Sequence, residues 1–300
     1  MGLSNSRAAD NRRQILAGIR GQATTGDVFY VDSTNGSAAD TAGRGKTPGV
    51  PFATLDFADT QCADNNGDTI ILMPGHAETI ATGTALTVAT IGLTVVGLGN
   101  GTDQPTFTLS ATGSEVNIDA NNITIENIHF ISTANDVAIC LDVNAHDFTC
   151  RECRFTDTAA SQNFLVCIQD ATTSGSHRIT VEGCIAHMVD PLDTHFVNFA
   201  GAGNGHIIRD NIIMGQHVTM CIGGVGIITQ CTITGNTILN ESAGSNLCIS
   251  LAATCTGVVS YNACGGGHAS DGIVVGTCVS IENYYEDHDS ATSGILEPAA

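Results

Sequence analysis

A short phrase recurs along this chain, an apolar residue followed by polar residues that favour a turn. It opens at Ile125-Glu126-Asn127-Ile128-His129-Phe130 and returns at Cys150-Arg151-Glu152-Cys153, Val181-Glu182-Gly183-Cys184, Ile208-Arg209-Asp210-Asn211, Ile233-Thr234-Gly235-Asn236, Val259-Ser260-Tyr261-Asn262 and Ile281-Glu282-Asn283-Tyr284. The spacings between neighbours are 25, 31, 27, 25, 26 and 22 residues. A unit of that length cannot bury a core alone, so successive units must stack. The pattern predicts an all-β solenoid, a parallel β-helix in which each repeat is one rung.

A second register runs in phase with the first. Cys140, Cys167, Asn198, Cys221 and Cys248 sit in similar apolar contexts, 27, 31, 23 and 27 residues apart. In a solenoid, equivalent positions lie one interstrand spacing apart, so about nine or ten rungs would make a rod ~45 Å long. Cysteine columns of this kind read as core filling, since a free thiol packs as a small apolar group. Cys150-x-x-Cys153 has metal or redox spacing, but no second pair follows it and both residues fall on rung positions. Asn211, Asn236 and Asn262 share one position on three rungs, where amides can donate and accept along the stack.

Composition narrows the function classes. Thirty acidic residues against ten basic ones give a net charge of -20, which opposes nucleic-acid binding. The best apolar run near the start, Ile15 to Ile19, is too short for a membrane span or for the apolar part of an export signal. Neither a membrane nor a nucleic acid is expected as a partner.

The N-terminal part is organised differently. Residues 1–27 hold Arg7, Arg12, Arg13 and Arg20 and read as a basic docking arm. Residues 28–66 read as a capping module, with Phe52, Leu55, Ala58 and Cys62 on one face of a helix predicted over 52–63. Residues 67–300 read as the β-helix itself. The order Tyr30-Val31-Asp32, Asn35-Gly36-Ser37, Thr47-Pro48, Pro51-Phe52-Ala53-Thr54-Leu55, Gly67-Asp68-Thr69-Ile70 and Pro74-Gly75-His76-Ala77-Glu78 resembles the opening module of the pectate-lyase-like right-handed β-helix superfamily. That resemblance implies a right-handed helix. It leaves the activity open, because lyases, hydrolases, phage tailspikes and non-catalytic virion proteins share the fold.

The superfamily's chemistry can be sought residue by residue. Its lyases use basic side chains or calcium-binding carboxylates, yet Lys46 is the only lysine here. Its pectin-degrading hydrolases carry paired aspartates, a His-Gly and an Arg-x-Lys on late rungs; only Arg44-Gly45-Lys46 matches, and it precedes every rung. Glu126, Arg151, Glu182 and Arg209 follow the anchor on four consecutive rungs. Two carboxylates two rungs apart, ~9–10 Å, approach the separation used by inverting glycosidases, but the alternating signs favour an ion-pair ladder. Asp170, Asp190 and Asp210 are isolated, and the ten histidines read as loop or surface residues. Asp32-Ser33-Thr34-Asn35-Gly36 has calcium-like composition, although a turn is the simpler reading.

No catalytic, cofactor or metal set is therefore expected. The favoured reading is a non-enzymatic virion structural protein, a phage capsid decoration or cement protein or a tail-associated rod, docked on a capsid or tail protein through the arm. The resemblance to phage β-helices implies homotrimers. The alternatives are a tailspike-like glycan-binding or depolymerase protein and a bacterial surface β-helix adhesin.

Overall fold

The computed structural model describes residues 25–83, 86–159, 161–171, 175–242, 247–266, 272–287 and 294–296. The arm residues Arg7, Arg12, Arg13 and Arg20 lie outside them. The chain forms a right-handed parallel β-solenoid built from three sheets of ten, eight and ten strands, here sheets A, C and B. The chain passes from A to B to C on each rung, and the eight strands of sheet C set the number of complete three-strand turns at no more than eight. This is fewer than the nine or ten rungs expected from the spacing, because the N-terminal residues before Thr69 add only one strand, Val28–Val31, to sheet A.

The repeated phrase is the corner between sheets A and B. Its turn residue takes left-handed backbone at Asn127, Glu152, Gly183, Asp210, Gly235, Tyr261 and Glu282, with φ between 45° and 68°. Glutamate and tyrosine pay a steric penalty there, which persists only where the surroundings fix the backbone. The next rung does so: the Glu152 N–H donates to the Glu182 carbonyl (2.9 Å) and the Tyr261 N–H to that of Ile281 (3.0 Å).

One residue later the side chain points inward. This column reads Ile128, Cys153, Cys184, Asn211, Asn236, Asn262 and Asn283, all buried. In its asparagine stretch the side-chain Nδ2 of Asn211, Asn236 and Asn262 each donates to the next asparagine's Oδ1 at 2.9 Å. The same Oδ1 atoms accept the backbone N–H of the residue below, at 3.0–3.1 Å. The second amide hydrogens reach the carbonyls of Val181, Ile208, Ile233 and Val259. Every polar atom of a dry corner is thereby paired, as burial requires.

The core follows volume rules. Phe107, Phe130 and Phe155 occupy one inward position of sheet B and stack with centroids 6.0 and 5.3 Å apart. On the next rung the same position is Ala186. The cysteine column compensates: Cys140, Cys167, Cys221 and Cys248 are aligned, but between Cys167 and Cys221 the register places Phe196, not Asn198. Phe196 lies edge-on to Phe155 at 5.7 Å, so a large ring enters where alanine leaves room. Asn198 faces outward and donates to Gln169 Oε1 (2.8 Å). All twelve cysteines are free, including Cys150 and Cys184, whose sulfurs are 3.8 Å apart.

At the N-terminal end Val28–Val31 pairs with Thr69–Leu72 and joins sheet A. The helix is shorter than predicted, Leu55–Asp59, because Asp40 Oδ1 takes the N–H groups of Ala53 and Thr54 and Phe52 bridges to Val31. It packs against Val28–Val31, Thr69–Leu72 and Leu86–Val88. Arg44-Gly45-Lys46 is explained here by packing: a Cβ on Gly45 (φ +72°) would lie 2.1 Å from the Phe52 ring, and Lys46 Nζ sits 3.8 Å from the Phe29 centroid and 3.1 Å from Asp27.

Replacing Asn236 by alanine strands the Asn211 N–H and Nδ2 and the Ile208 carbonyl in the dry corner. The expected cost is about 2–4 kcal/mol in chemical denaturation, with Asn240→Ala, nearer the other corner, as a comparison.

Candidate functional site

On the outer face of sheet A, Glu126, Arg151, Glu182 and Arg209 stand in register on four neighbouring strands. Arg151 Nε lies 3.2 Å from Glu126 Oε2, and Arg209 Nη2 lies 3.0 Å from Glu182 Oε2. Each glutamate thus faces a guanidinium on the adjacent strand. A further ion pair, Arg178 to Asp147, lies at the turn from sheet C into sheet A. There the Asp147 carboxyl is held below its ordinary range, first by the hydrogen bond from Arg178.

Three histidines expected at the surface are instead fully buried: His76, His206 and His217. For His76 and His206 the reason is that a ring nitrogen caps a neighbouring backbone N–H, whereas both ring nitrogens of His217 lack a hydrogen-bond partner among the described residues. His76 Nδ1 accepts from Ser33 N–H (3.0 Å), which leaves the proton on Nε2, 2.8 Å from Glu78 Oε1. Glu78 also accepts the Leu55 N–H at the start of the helix (2.7 Å). His206 Nδ1 accepts from Ile179 N–H (3.2 Å), so its Nε2 proton faces Asp170 Oδ2 at 3.6 Å. Asp170 Oδ1 takes the Gly201 N–H (3.0 Å), and Ser176 Oγ donates to the Val143 carbonyl (2.7 Å). Serine, histidine and aspartate are close in the fold, yet neither ring nitrogen is left to act as a base toward a nucleophile. The sequence signal for these caps was weak: a histidine near a turn, without periodicity.

Three strongly shifted groups, Asp193, His195 and His217, gather where sheet B turns into sheet C. Asp157 accepts the N–H groups of Val189 and Asp190 (2.7 and 2.8 Å). Asp193 is 0% exposed, and neither carboxyl oxygen has a hydrogen-bond partner among the described residues. Burial, then the charge of Asp157, with Asp190 and Asp136 adding, pushes its pKa up to about 8; the Asn163 side chain pulls weakly the other way. Burial lowers His195 to about 4, and lowers His217 to about 3 with a smaller push from His195. At neutral pH Asp193 holds a proton and both imidazoles are neutral. A protonated carboxyl is what a general acid requires, but a fully buried one cannot reach a glycosidic oxygen.

The Asp32 loop is an Asx turn, with Oδ1 accepting from Thr34 N–H (3.0 Å) and Thr34 Oγ1 (2.7 Å). Among the described residues no group of three or more His, Cys, Asp or Glu side chains could hold a metal ion, and no helix is long and apolar enough to cross a membrane.

The sequence matches no protein-family model, and no curated protein resembles it in sequence. Solved structures share the fold. Pectate lyase Pel9A is similar over 88% of this chain and 81% of its own, with a TM-score of 0.50 and 13% identity. A rhamnogalacturonan lyase aligns over 87% of this chain and 66% of its own, with a TM-score of 0.48 and 12% identity. The GH136 lacto-N-biosidase from Eubacterium ramulus aligns over 92% and 70%, with a TM-score of 0.40 and 10% identity. The chain therefore has a parallel β-helix fold, which it shares with pectate lyase Pel9A.

The buried corner predicts an unusual pH profile. The unfolded Asp193 carboxyl titrates near 3.8. Between about pH 4 and pH 8 the native state keeps a proton that the unfolded state releases, so stability falls as pH rises and levels off above that window. His195 and His217 act oppositely, because the unfolded rings take up protons below 6.5 and stability falls toward acid. Melting temperature against pH should flatten on the alkaline side in Asp193→Asn and keep its acid loss.

Proposed function

We propose that this chain is a non-catalytic structural β-helix of a virus particle, a capsid decoration or tail-associated rod. The observation that carries the non-catalytic part is the use made of the ionisable rung residues. Glu126 and Glu182 face arginines, His76 and His206 cap backbone N–H groups, and Asp193 is sealed from solvent. The carboxylates and imidazoles named here are paired with arginines, bonded to backbone N–H groups or, for Asp193, closed off from a substrate. The virion part rests on the resemblance to phage β-helices, on a net charge of -20 that repels anionic polymers, and on a basic segment at residues 1–27 suited to an acidic protein surface. The module at 28–66, with its short helix, serves as the cap of the first rung.

A second reading has a specific observation behind it. Tyr261 and Tyr284 are 56% and 51% exposed near the C-terminal rungs, and exposed rings of this kind stack on sugars in glycan-binding proteins.

Quantitative mass spectrometry of purified virus particles from the source tests the first reading. Copies near parity with the major shell protein mean a decoration protein, a few copies mean a tail position, and absence overturns the virion role. Incubation with pectic and host-surface polysaccharides should release neither unsaturated nor reducing ends; release of either overturns the non-catalytic assignment. Deleting residues 1–22 should leave the β-sheet circular dichroism intact and abolish particle binding.

A further inference from the structure

The three outer faces differ in charge. Sheet A carries the Glu–Arg pairs, and sheet C carries Asn117, Asp142, Gln169 and Asn198 on adjacent strands. On sheet B the outward positions of four consecutive strands, beginning at Ile185, Ile212, Thr237 and Ala263, hold no Asp, Glu, Lys or Arg. Ile212 is 41% exposed and Leu239 is 39% exposed. This uncharged strip has two different ends. Arg154, which makes no ion pair among the described residues, stands on the strand before it, and Tyr284 on the strand after it.

We propose that this strip is a self-association face on which a second copy of the chain docks antiparallel, around a two-fold axis that runs along the strands between Ile212–Gly215 and Thr237–Asn240. Two molecules of charge -20 repel, so they can meet where the four central strands carry no outward acid, Glu286 standing at an outward register position only on the outermost strand. A two-fold contact must be self-complementary. Reversing the strand order places Ile212 opposite Thr237 of the other copy, Met214 opposite Leu239, Ile185 opposite Ala263 and Arg154 opposite Tyr284. Ile212 and Ile185 then meet smaller side chains, Met214 and Leu239 form an apolar contact, and each guanidinium meets an exposed aromatic ring, a favourable cation–π pairing. Six strands at ~4.8 Å and four residues at ~3.3 Å give ~380 Å² per copy, or ~760 Å² for the two copies together, widened at its edges by exposed Tyr261 and Val189. That is below the ~1,200 Å² of a stable complex, so the dimer forms weakly and with concentration.

Sedimentation velocity on the full chain over a wide concentration range tests this. The expected result is a monomer–dimer equilibrium that tightens as salt screens the net charge. Ile212→Glu and Leu239→Glu should each weaken it by about tenfold or more, with unchanged circular dichroism and melting. Thr232→Glu on sheet A should leave it alone. Tyr284→Arg should weaken it by setting two arginines face to face, and the double variant Arg154→Tyr with Tyr284→Arg should restore it. A chain that stays monomeric throughout, a trimer indifferent to Ile212→Glu and Leu239→Glu, or a double variant no better than Tyr284→Arg alone overturns the proposal.

Discussion

The structure depends on one constraint, that every corner of a rung must give its backbone N–H groups an acceptor without water. Strands satisfy one another through the parallel ladders, but a turn breaks the ladder once per sheet. Between sheets A and B the repair is the asparagine column, in which one Oδ1 accepts both a backbone N–H and the amide of the asparagine below. At the passage from C to A it is made by other side chains: Asn121 Oδ1 accepts the His146 N–H, and His146 Nδ1 accepts that of His177, with the two rings stacked at 4.7 Å. Between B and C, Asn240 Oδ1 takes the His217 N–H and its Nδ2 the His217 carbonyl.

This requirement gives several chemistry-bearing residues a structural task. A histidine that caps a backbone N–H has its tautomer fixed by that bond. Asp170 and Asp157 likewise receive two backbone N–H groups each, the role of a turn acceptor. The cysteines follow the same logic in apolar form. Burial pushes the Cys140, Cys167 and Cys221 thiols far above their ordinary range, so they stay protonated and behave as packing groups.

How much of this the sequence carries depends on whether a residue's role repeats. The asparagine column and the Glu–Arg order were legible because the same residue type returns at a fixed place. Asn283 extends the column by one rung, and its phrase Ile281-Glu282-Asn283 carried the signal. The Cys140 column was misaligned at one rung because the segment before Phe196 is longer; Phe196 was two residues away and better matched in volume to Ala186. The buried histidines and Asp193 were not legible. Their roles come from which loop residue meets which rung, and the lengths of those loops vary where the strands do not. The helix at Leu55–Asp59 was seen from its apolar face; its start is set locally by Thr54, whose hydroxyl accepts the Phe57 N–H, and by Asp40, which binds the N–H groups of Ala53 and Thr54 and which no local pattern reveals.

The faces of the rod also follow from the rung rule. Inward positions are fixed by packing and corners by hydrogen bonding, so only the outward strand positions remain free to differ between sheets. On sheet A they alternate in sign, and exposed pairs of that kind contribute at most about 1 kcal/mol each; their main effect is to cancel charge along the column. On sheet C they are mostly amides and hydroxyls, and Asn198 donates to Gln169 on the neighbouring strand. Sheet B beyond Arg154 does neither: Ile212 and Leu239 gain nothing there from solvent, and two polar faces on the same rungs already supply solubility. An apolar outward column is therefore a property of that sheet in particular, set by sequence choice at positions the fold leaves open.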